Sequence, residues 1–256
     1  WKSRLRPGFL PVPANLDEAM QLPYMKRSWA SKKTLARIIV RTLVSRLSGK
    51  HIVTAGQALQ GQMLHRAIQT GTDIRVNAGV KQLLQENGRV TGVVIDKNGA
   101  DWHIGARLGV LINAGGFSRN QRMLDQYIPG TSTAWTLTAP GDTGEMIEEA
   151  VRIGAAIAQM DARVGNPVVL PPGETPPKPV IVQGDMAKPH TIVVDQSGER
   201  YMRESSSYMQ IGRAMQERHR LVPAIPSWMV LDSQYLEKYM LAGTMPGARK
   251  PQPWYD

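Results

Sequence analysis

The sequence of 256 residues contains no cysteine. This absence excludes disulfides, a thiolate nucleophile and any cysteine-ligated zinc or iron–sulfur site. The histidines are few and scattered, without metal-ligand spacing: His51, His65, His103, His190 and His219. No apolar run reaches the roughly 18 residues that a membrane-spanning helix needs. With 42% apolar and 20% charged residues, the composition is that of an ordinary globular protein with no indicated metal site.

The sequence also lacks the G-x-G-x-x-G loop that opens many nucleotide-binding folds. A different glycine element is present in the stretch INAGGFSRN, residues 112–120, which follows an apolar run and precedes a polar helix start. We predict a buried strand over 110–113 that ends at this glycine pair. Glycines at such a strand end allow a ligand to approach the backbone, and a nucleotide cofactor is the usual ligand.

A second glycine element lies in TAPGDTGEMIEEAVRIGAA, residues 138–156. Asp142 is expected to cap a helix here, with Glu145 reaching back as in a capping box. Gly141 and Gly144 leave the first turn bare, so its N–H groups suit an anion or an electron-rich ring. A capped surface helix without a ligand explains the pattern equally well.

Positive charge is concentrated at the start of the chain. Residues 1–50 hold 11 Lys or Arg against 2 Asp or Glu, within a total net charge of +10. Residues 31–50 repeat apolar side chains at helical spacing, while Lys33, Arg37 and Arg41 share another face. We expect a helix packed on the core with a solvated basic face, so that Ile39→Asp lowers stability. The alternative is an amphipathic helix for a membrane surface or for nucleic acid.

The intervening sequence predicts alternating helices and strands. A helix is expected over 57–71 and a strand over 73–78, followed by three strands over 79–85, 89–96 and 101–107. Two Asn-Gly pairs, at 87–88 and 98–99, are typical of hairpin turns between those three strands. The proline-rich residues 165–182 predict an irregular crossing. Beyond them, a strand, a Ser-Gly turn, a second strand, a helix from about Gln210, and a final strand and helix indicate a mixed α+β region.

Seven stretches, in this order, resemble a known family: GQALQGQML, NGRVTGVVID, INAGGFSRN, TAPGDTGE, MDARVGNP, IVVDQSGERYMRESSSY and AGTMPG. Together they resemble the flavoproteins that include fumarate reductases and 3-ketosteroid dehydrogenases. The resemblance implies an α/β plus α+β fold. A partial FAD-binding, Rossmann-like domain with a three-stranded antiparallel meander would span 1–164, and a partial substrate domain 165–256. We interpret the chain as an internal fragment that is inactive alone and does not hold FAD tightly.

The resemblance also implies functional residues. FAD is the expected cofactor. Its expected contacts are Val80, Ala114, Gly115, Gly116, Phe117, Ala139, Pro140, Gly141, Thr143 and Gly144. The fumarate reductase branch carries an arginine just after a glutamate, whereas Glu204 here is followed by three serines. The steroid dehydrogenase branch carries a tyrosine four residues on, as Tyr208 does here. The sequence departs from that branch at Arg203 and Ser207, which stand where Asn and Pro are typical, and we expect Arg203 to pair with Glu204.

Tyr208 is therefore the candidate catalytic base. Dehydrogenation beside a ketone removes a proton from one carbon and passes a hydride from its neighbour to flavin N5. A phenol has a pKa near 10, so it must be activated to accept a proton near neutral pH. A buried tyrosine with a satisfied hydroxyl is the alternative interpretation of Tyr208.

The expected substrate is a 3-ketosteroid or a similar apolar cyclic ketone, with an electron acceptor that the sequence leaves undefined. A fumarate or enoate reductase is the alternative within the family. A non-catalytic interaction module with a basic helix facing membrane or nucleic acid is the alternative outside it. We expect no nucleic-acid partner, because the chain has few aromatic residues to stack bases, and we do not favour membrane contact. A cytoplasmic location is expected, with membrane association as the alternative.

Overall fold

The computed structural model describes residues 13–50, 52–173 and 178–248. The helices are α1 (Leu16–Gln21), α2 (Trp29–Leu47), α3 (Ala55–Gln69), α4 (Gln121–Tyr127), α5 (Glu145–Arg152), α6 (Gln183–Met186), α7 (Tyr208–His219) and α8 (Ser233–Lys238), with 3-10 turns at Leu22–Tyr24 and Thr133–Trp135. The strands are β1 (Ala78–Glu86), β2 (Arg89–Lys97), β3 (Ala100–Gly105), β4 (Val168–Val169), β5 (Val180–Ile181), β6 (Thr191–Val194) and β7 (Trp228–Leu231). No helix among the described residues is long and apolar enough to cross a membrane.

The described residues fall into two compact units. The first comprises 13–50, 52–74 and 233–248, and the second comprises 75–173 and 178–232. This division differs from the predicted functional domains 1–164 and 165–256, which remain a prediction.

The second unit contains the predicted meander. Strands β1, β2 and β3 form an antiparallel sheet in chain order. Asn87 and Asn98 adopt left-handed backbone angles, φ 49° and 56°, and each precedes a glycine that does the same. These paired positive angles are what a two-residue hairpin turn requires, so the Asn-Gly prediction is confirmed at both turns.

The sheet is tied to α5 through β1. Glu149 accepts a hydrogen bond from the Leu83 N–H at 2.5 Å, and Arg152 forms an ion pair with Glu149 at 2.6 Å. The Arg152 guanidinium holds the pKa of Glu149 below its usual range, against the opposing effect of burial. These contacts fix the helix that follows the second glycine element against the meander.

Two predicted strands are absent from the described chain. Residues 73–77 are irregular, and only Ala78 of that prediction lies in a strand. Residues 110–113, predicted as a buried strand, form no strand among the described residues, and Leu111 is 93% exposed. An apolar run alone cannot distinguish a buried strand from a segment without a neighbouring strand, and among the described residues this segment has none.

The basic helix α2 also differs from its prediction. Its buried positions are Ser31, Thr34, Ile38 and Ser45. Ile39 is 49% exposed and Leu47 is 89% exposed, so the expectation that the apolar face packs on the core is wrong. The face that packs is one rich in hydroxyl groups, and the hydrophobic period gives no signal for such a face. Ile39→Asp is therefore not expected to bury a charge.

Arg41 is turned toward α1 instead of standing in a solvated basic face. It forms a bidentate pair with Glu18, both distances being 2.8 Å. This hydrogen-bonded pair, with the Asn15 N–H, lowers the pKa of Glu18 to about 2. Asn15 and Glu18 also form a capping box that fixes the start of α1.

The region after residue 165 forms small antiparallel pairs. Strands β4 and β5 pair across the proline-rich stretch, and β6 pairs with β7 from Thr191 opposite Leu231 to Val194 opposite Trp228. The second strand expected after the Ser-Gly turn is reduced to one bridge between Val194 and Arg200. Helix α7 begins at Tyr208, two residues before the predicted start.

Candidate functional site

Two glycine-bearing loops lie side by side in the second unit. We define the first loop as residues 114–120 and the second loop as residues 138–144. The Arg119 N–H donates to the Asp142 carbonyl at 2.9 Å, and the Asn120 side-chain amide donates to the Thr143 carbonyl at 2.9 Å. The Arg119 guanidinium donates to the Thr138 carbonyl at 2.8 Å. The structure therefore brings together two stretches that were singled out separately in the sequence.

Gly115 is required by the contact between the loops. Its φ of +82° lies in the left-handed region that L side chains rarely adopt. A Cβ at this position would also lie 2.2 Å from the Asp142 Oδ1. Both the backbone angle and the contact with Asp142 favour glycine at position 115. Because Gly115 has no side chain, the Asp142 carboxylate occupies the space beside the first loop.

Gly144 is required on the other side of the same contact. It has φ +81°, and a Cβ would lie 2.5 Å from the Met123 sulfur and 2.8 Å from the Phe117 Cβ. Phe117 is held in turn by Tyr127, with ring centroids 5.6 Å apart. Close packing at Gly144 therefore anchors the second loop on α4 and on the first loop.

The start of α5 differs from its prediction. Gly144, not Asp142, is the N-cap, and no side chain caps the helix. Asp142 lies in the preceding turn, where its N–H donates to the Ala139 carbonyl at 3.1 Å, too early in the chain to cap. Glu145 and Glu148 lie in the first turn of α5, so that turn already carries negative charge.

The remaining loop glycines face open space. A Cβ at Gly116 or Gly141 would meet no atom within 4 Å, and neither residue has a left-handed φ. Ala114, Ala139 and Pro140 are exposed as well. These five residues of the two loops are small and accessible, which is what a flat ligand needs to approach a backbone.

Val80 lies on β1 beside a shift of register in the pairing with β2, which falls between Val80 and Gln82, and is 40% exposed. Its strand is tied to α5 through Leu83 and through Gln85, whose amide donates to the Ile153 carbonyl at 3.2 Å. The assignment of Val80 to the cofactor stays a prediction, as do those of the loop residues.

Sequence reasoning missed the residues that join the loops. Arg119, Asn120 and Thr138 carry the connecting hydrogen bonds, and the Ser118 and Thr138 hydroxyls lie 2.6 Å apart. The only sequence signal for them is their position directly after or before a glycine segment, which does not identify a partner.

The segment that precedes Tyr208 is fixed by a buried carboxylate. Glu204 is buried and accepts from Arg200 at 2.9 and 2.6 Å and from the Val193 N–H at 3.0 Å. Although burial opposes its charged form, the hydrogen bonds from Arg200 and Val193 hold its pKa below the usual range. The predicted pair with Arg203 is wrong, because both carboxylate oxygens are engaged by Arg200, four residues earlier.

A second buried carboxylate fixes the turn after β6. Asp195 is fully buried and accepts from the Ser197 hydroxyl at 2.6 Å, the Glu199 N–H at 3.1 Å and the Arg218 Nε at 2.7 Å. The Ser197 hydrogen bond and the Arg218 ion pair lower its pKa to about 2. Arg218 belongs to α7, so this cluster fixes the far end of the helix that Tyr208 begins.

Tyr208 is the first residue of α7 and is 37% exposed. The Ser207 hydroxyl caps the helix by accepting from the Gln210 N–H at 3.4 Å. Among the described residues its phenol makes no hydrogen bond, so the interpretation as a buried tyrosine with a satisfied hydroxyl is wrong. Tyr208 shares a unit with the two loops, and its catalytic role stays a prediction.

Comparison with known proteins identifies the class. The family model described as FAD binding domain matches residues 21–251. The chain belongs to this FAD-binding family, and the flavoprotein resemblance inferred from the sequence is confirmed. FAD is the cofactor that the assignment indicates, and the two bare glycine loops are compatible with a flavin nucleotide close to their backbone.

The relatives narrow the class further. The chain is 32% identical to a 3-oxosteroid 1-dehydrogenase of Mycobacterium tuberculosis (strain ATCC 25618 / H37Rv) over 98% of its own length and 47% of that protein. A crystal structure of 3-ketosteroid delta1-dehydrogenase from Sterolibacterium denitrificans, in complex with 1,4-androstadiene-3,17-dione, covers 95% of the chain with TM-score 0.80 and 29% identity, and 45% of that structure is matched. A probable fumarate reductase of Shewanella frigidimarina (strain NCIMB 400) is 23% identical over 72% of the chain and 30% of that protein. The chain thus spans about half the length of the steroid dehydrogenases it matches.

Proposed function

We propose that the protein is an FAD-dependent dehydrogenase that acts on a 3-ketosteroid or a similar apolar cyclic ketone. The observation that carries the proposal is the pair of interlocked glycine loops with small, exposed residues, in a chain that matches steroid dehydrogenases along nearly all of its length. A ligand close to these loops accounts for Gly116 and Gly141, whose lack of a side chain no protein contact among the described residues explains.

The residues proposed to hold FAD divide by what they do. Gly115 and Gly144 let the loops interlock, whereas Ala114, Gly116, Ala139 and Gly141 present exposed backbone. The acidic first turn of α5 disfavours a phosphate at that helix start. We therefore assign the two loops to the uncharged parts of the cofactor. When bound, FAD supplies the hydride acceptor.

Tyr208 is proposed to accept the proton that the substrate loses. Its phenol is partly exposed and engages no described partner, so it is free to reach a substrate carbon. It begins a helix of 12 residues, and the positive end of a helix dipole stabilises the negative charge that a proton acceptor carries. Glu204 and Asp195 are committed to structural ion pairs, which leaves the phenol as the proton acceptor of this segment.

A fumarate reductase would need a cation to clamp a dicarboxylate. Ser205, Ser206 and Ser207 follow Glu204, where the reductase branch carries its arginine, and Arg200 is held by Glu204. Arg203 is exposed but precedes the glutamate. The position after Glu204 therefore favours an uncharged ketone over a dicarboxylate.

The test is a purified full-length protein examined for flavin absorbance and for dye-coupled oxidation of a 3-ketosteroid that lacks the C1–C2 double bond. We expect a flavin band and formation of the unsaturated ketone. Fumarate reduction without steroid oxidation would establish the reductase alternative. Absence of flavin from the folded protein would establish the interaction module instead.

A further inference from the structure

Helix α2 exposes an apolar stripe along its whole length. At about 100° per residue, Trp29, Val40 and Leu47 lie within about 20° of one another around the axis, and Leu43 lies beside them. All four side chains are more than half exposed. The 19 residues of the helix extend this stripe over roughly 28 Å.

Cations border the stripe on both sides. Lys33 and Arg37 lie along one edge, and Lys32 and Arg46 lie along the other. All four are exposed, and α2 contains no acidic residue. The Lys32 ammonium lies over the Trp29 ring, 4.5 Å from its centroid, so the charged edge reaches the start of the apolar stripe.

The opposite face of α2 is already occupied. Ile38 is 2% exposed, and Arg41 is held by Glu18 and by the Pro13 carbonyl at 2.7 Å. The helix therefore packs on its own unit through one face and presents an apolar stripe with a cationic border on the other.

We propose that α2 lies along an anionic lipid surface, with the stripe in the acyl boundary and the four flanking cations at the headgroups. A tryptophan, a leucine- and valine-rich face and flanking Lys and Arg are the features of an interfacial helix. Anionic headgroups complement the cations at a membrane surface. This proposal is independent of the reaction proposed above.

The stripe itself argues against the other partners. Nucleic acid binds through cations and aromatic stacking, and it gives no reason for exposed Val40, Leu43 and Leu47. A second copy of this chain would place the same four cations opposite each other, which repulsion disfavours.

The experiment is co-sedimentation of the full-length protein with vesicles of phosphatidylcholine alone or mixed with phosphatidylglycerol. We expect binding to the mixed vesicles only, with release as salt rises from roughly 0.05 M to 0.5 M because screening shortens the reach of the cations. Lipid brominated on its acyl chains should quench the tryptophan fluorescence of the wild-type protein more than that of Trp29→Phe, because Trp29 is proposed to lie in the acyl boundary.

Two matched pairs of variants separate the stripe and its border from general effects. Leu47→Ser should weaken vesicle binding about tenfold or more, whereas Leu221→Ser, at an equally exposed leucine in the second unit, should not. The triple change Lys33→Gln, Arg37→Gln and Arg46→Gln should weaken binding roughly a hundredfold, at about fivefold for each cation. Removing three exposed cations elsewhere, with Arg107→Gln, Lys178→Gln and Arg220→Gln, should have a much smaller effect.

Three results would overturn the proposal. The first is no binding to phosphatidylglycerol vesicles by the folded protein. The second is loss of self-association in Leu47→Ser with vesicle binding unchanged, which would assign the stripe to a second copy of the chain. The third is duplex DNA binding that exceeds vesicle binding and is unaffected by Leu47→Ser, which would assign the surface to nucleic acid. Because Leu47 is almost fully exposed, its replacement tests the surface and not the fold.

Discussion

The segment around Tyr208 is held by buried carboxylates, whereas the two glycine loops are held by main-chain contacts and by missing side chains. Asp195 and Glu204 each accept three or more hydrogen bonds, at least one of them from an arginine. Gly115 and Gly144 contribute no side chain, and both have a left-handed φ with neighbouring side-chain atoms within 3 Å of an added Cβ. Both regions belong to the second unit of the chain.

The difference indicates which changes each region tolerates. A region built on ion pairs responds to pH and to loss of a charge, because a buried donor without its acceptor is costly. A region in which backbone segments approach closely loses stability when a side chain is added at one of its glycines. If the loops bind a cofactor and the segment around Tyr208 positions a base, substitutions in the loops should change cofactor content or stability. Substitution of Tyr208 should change turnover alone.

The largest expected effect is on turnover at the carboxylate-held segment. Tyr208→Phe keeps the ring and removes the hydroxyl, so loss of proton transfer should lower turnover by roughly 10²–10⁴-fold. FAD content and the thermal unfolding midpoint should stay at wild-type values, measured by flavin absorbance and by calorimetry. Near wild-type turnover would remove Tyr208 from the mechanism, and loss of FAD would break the separation between the two regions.

The next effect is on the stability of the loops. Gly115→Ala forces a left-handed φ on alanine and places its Cβ against Asp142, so unfolding free energy should fall by about 1–3 kcal/mol or more. Gly130→Ala is the matched control, since it has nearly the same φ, +80°, but open space around it. Urea unfolding should show a larger loss of unfolding free energy for Gly115→Ala than for Gly130→Ala, and the difference is the contribution of the contact between the loops. Equal losses at both positions would show that Asp142 moves aside at little cost.

Removal of the Glu204 carboxylate should have a comparable or smaller effect. Glu204→Ala leaves the Val193 N–H buried without its acceptor, at a cost of about 1–3 kcal/mol. Glu204→Gln retains an acceptor and should lose less. Because the pKa of Glu204 is depressed in the fold, its stabilisation is present above the ordinary carboxyl pKa and is lost as pH falls below it. Urea midpoints measured from neutral pH downward should therefore converge for wild type and Glu204→Gln, and parallel curves would contradict this account.

Some local backbone signals were read correctly from the sequence, whereas long-range partners were not. The Asn-Gly turns are present, and the helix expected from about Gln210 begins at Tyr208. The cap at Asp142 and the strand over 73–78 were local predictions that the structure contradicts. The hydrophobic period of α2 identified a helix but assigned the wrong face to the core, because its packing face consists of Ser31, Thr34, Ile38 and Ser45. Which face of a helix is buried depends on the element packed against it, and the spacing of apolar residues does not encode that element.

The site shows the same limit. The glycine segments 114–120 and 138–144 were recognised, but the interlock between them depends on Arg119 and Asn120 reaching across some twenty residues of chain. Glu204 was assigned to its neighbour Arg203, whereas the fold pairs it with Arg200. Charged residues in one short stretch offer several partners. In the fold, Arg200 bridges to Val194, next to the Val193 N–H that donates to Glu204.

The smallest effect on stability is expected for Gly116→Ala. This change should raise the stability of the fold slightly while it weakens FAD binding. Gly116 has no left-handed φ and no neighbour within 4 Å of a Cβ. Alanine there restricts the unfolded chain, so stability should rise by about 0.4–1 kcal/mol. If flavin approaches this bare backbone, the same methyl group should weaken FAD binding about tenfold, or by about 1.4 kcal/mol, as measured by FAD titration of apoprotein prepared from the full-length enzyme. Unchanged FAD affinity, together with the expected rise in stability, would show that flavin does not approach the backbone at Gly116.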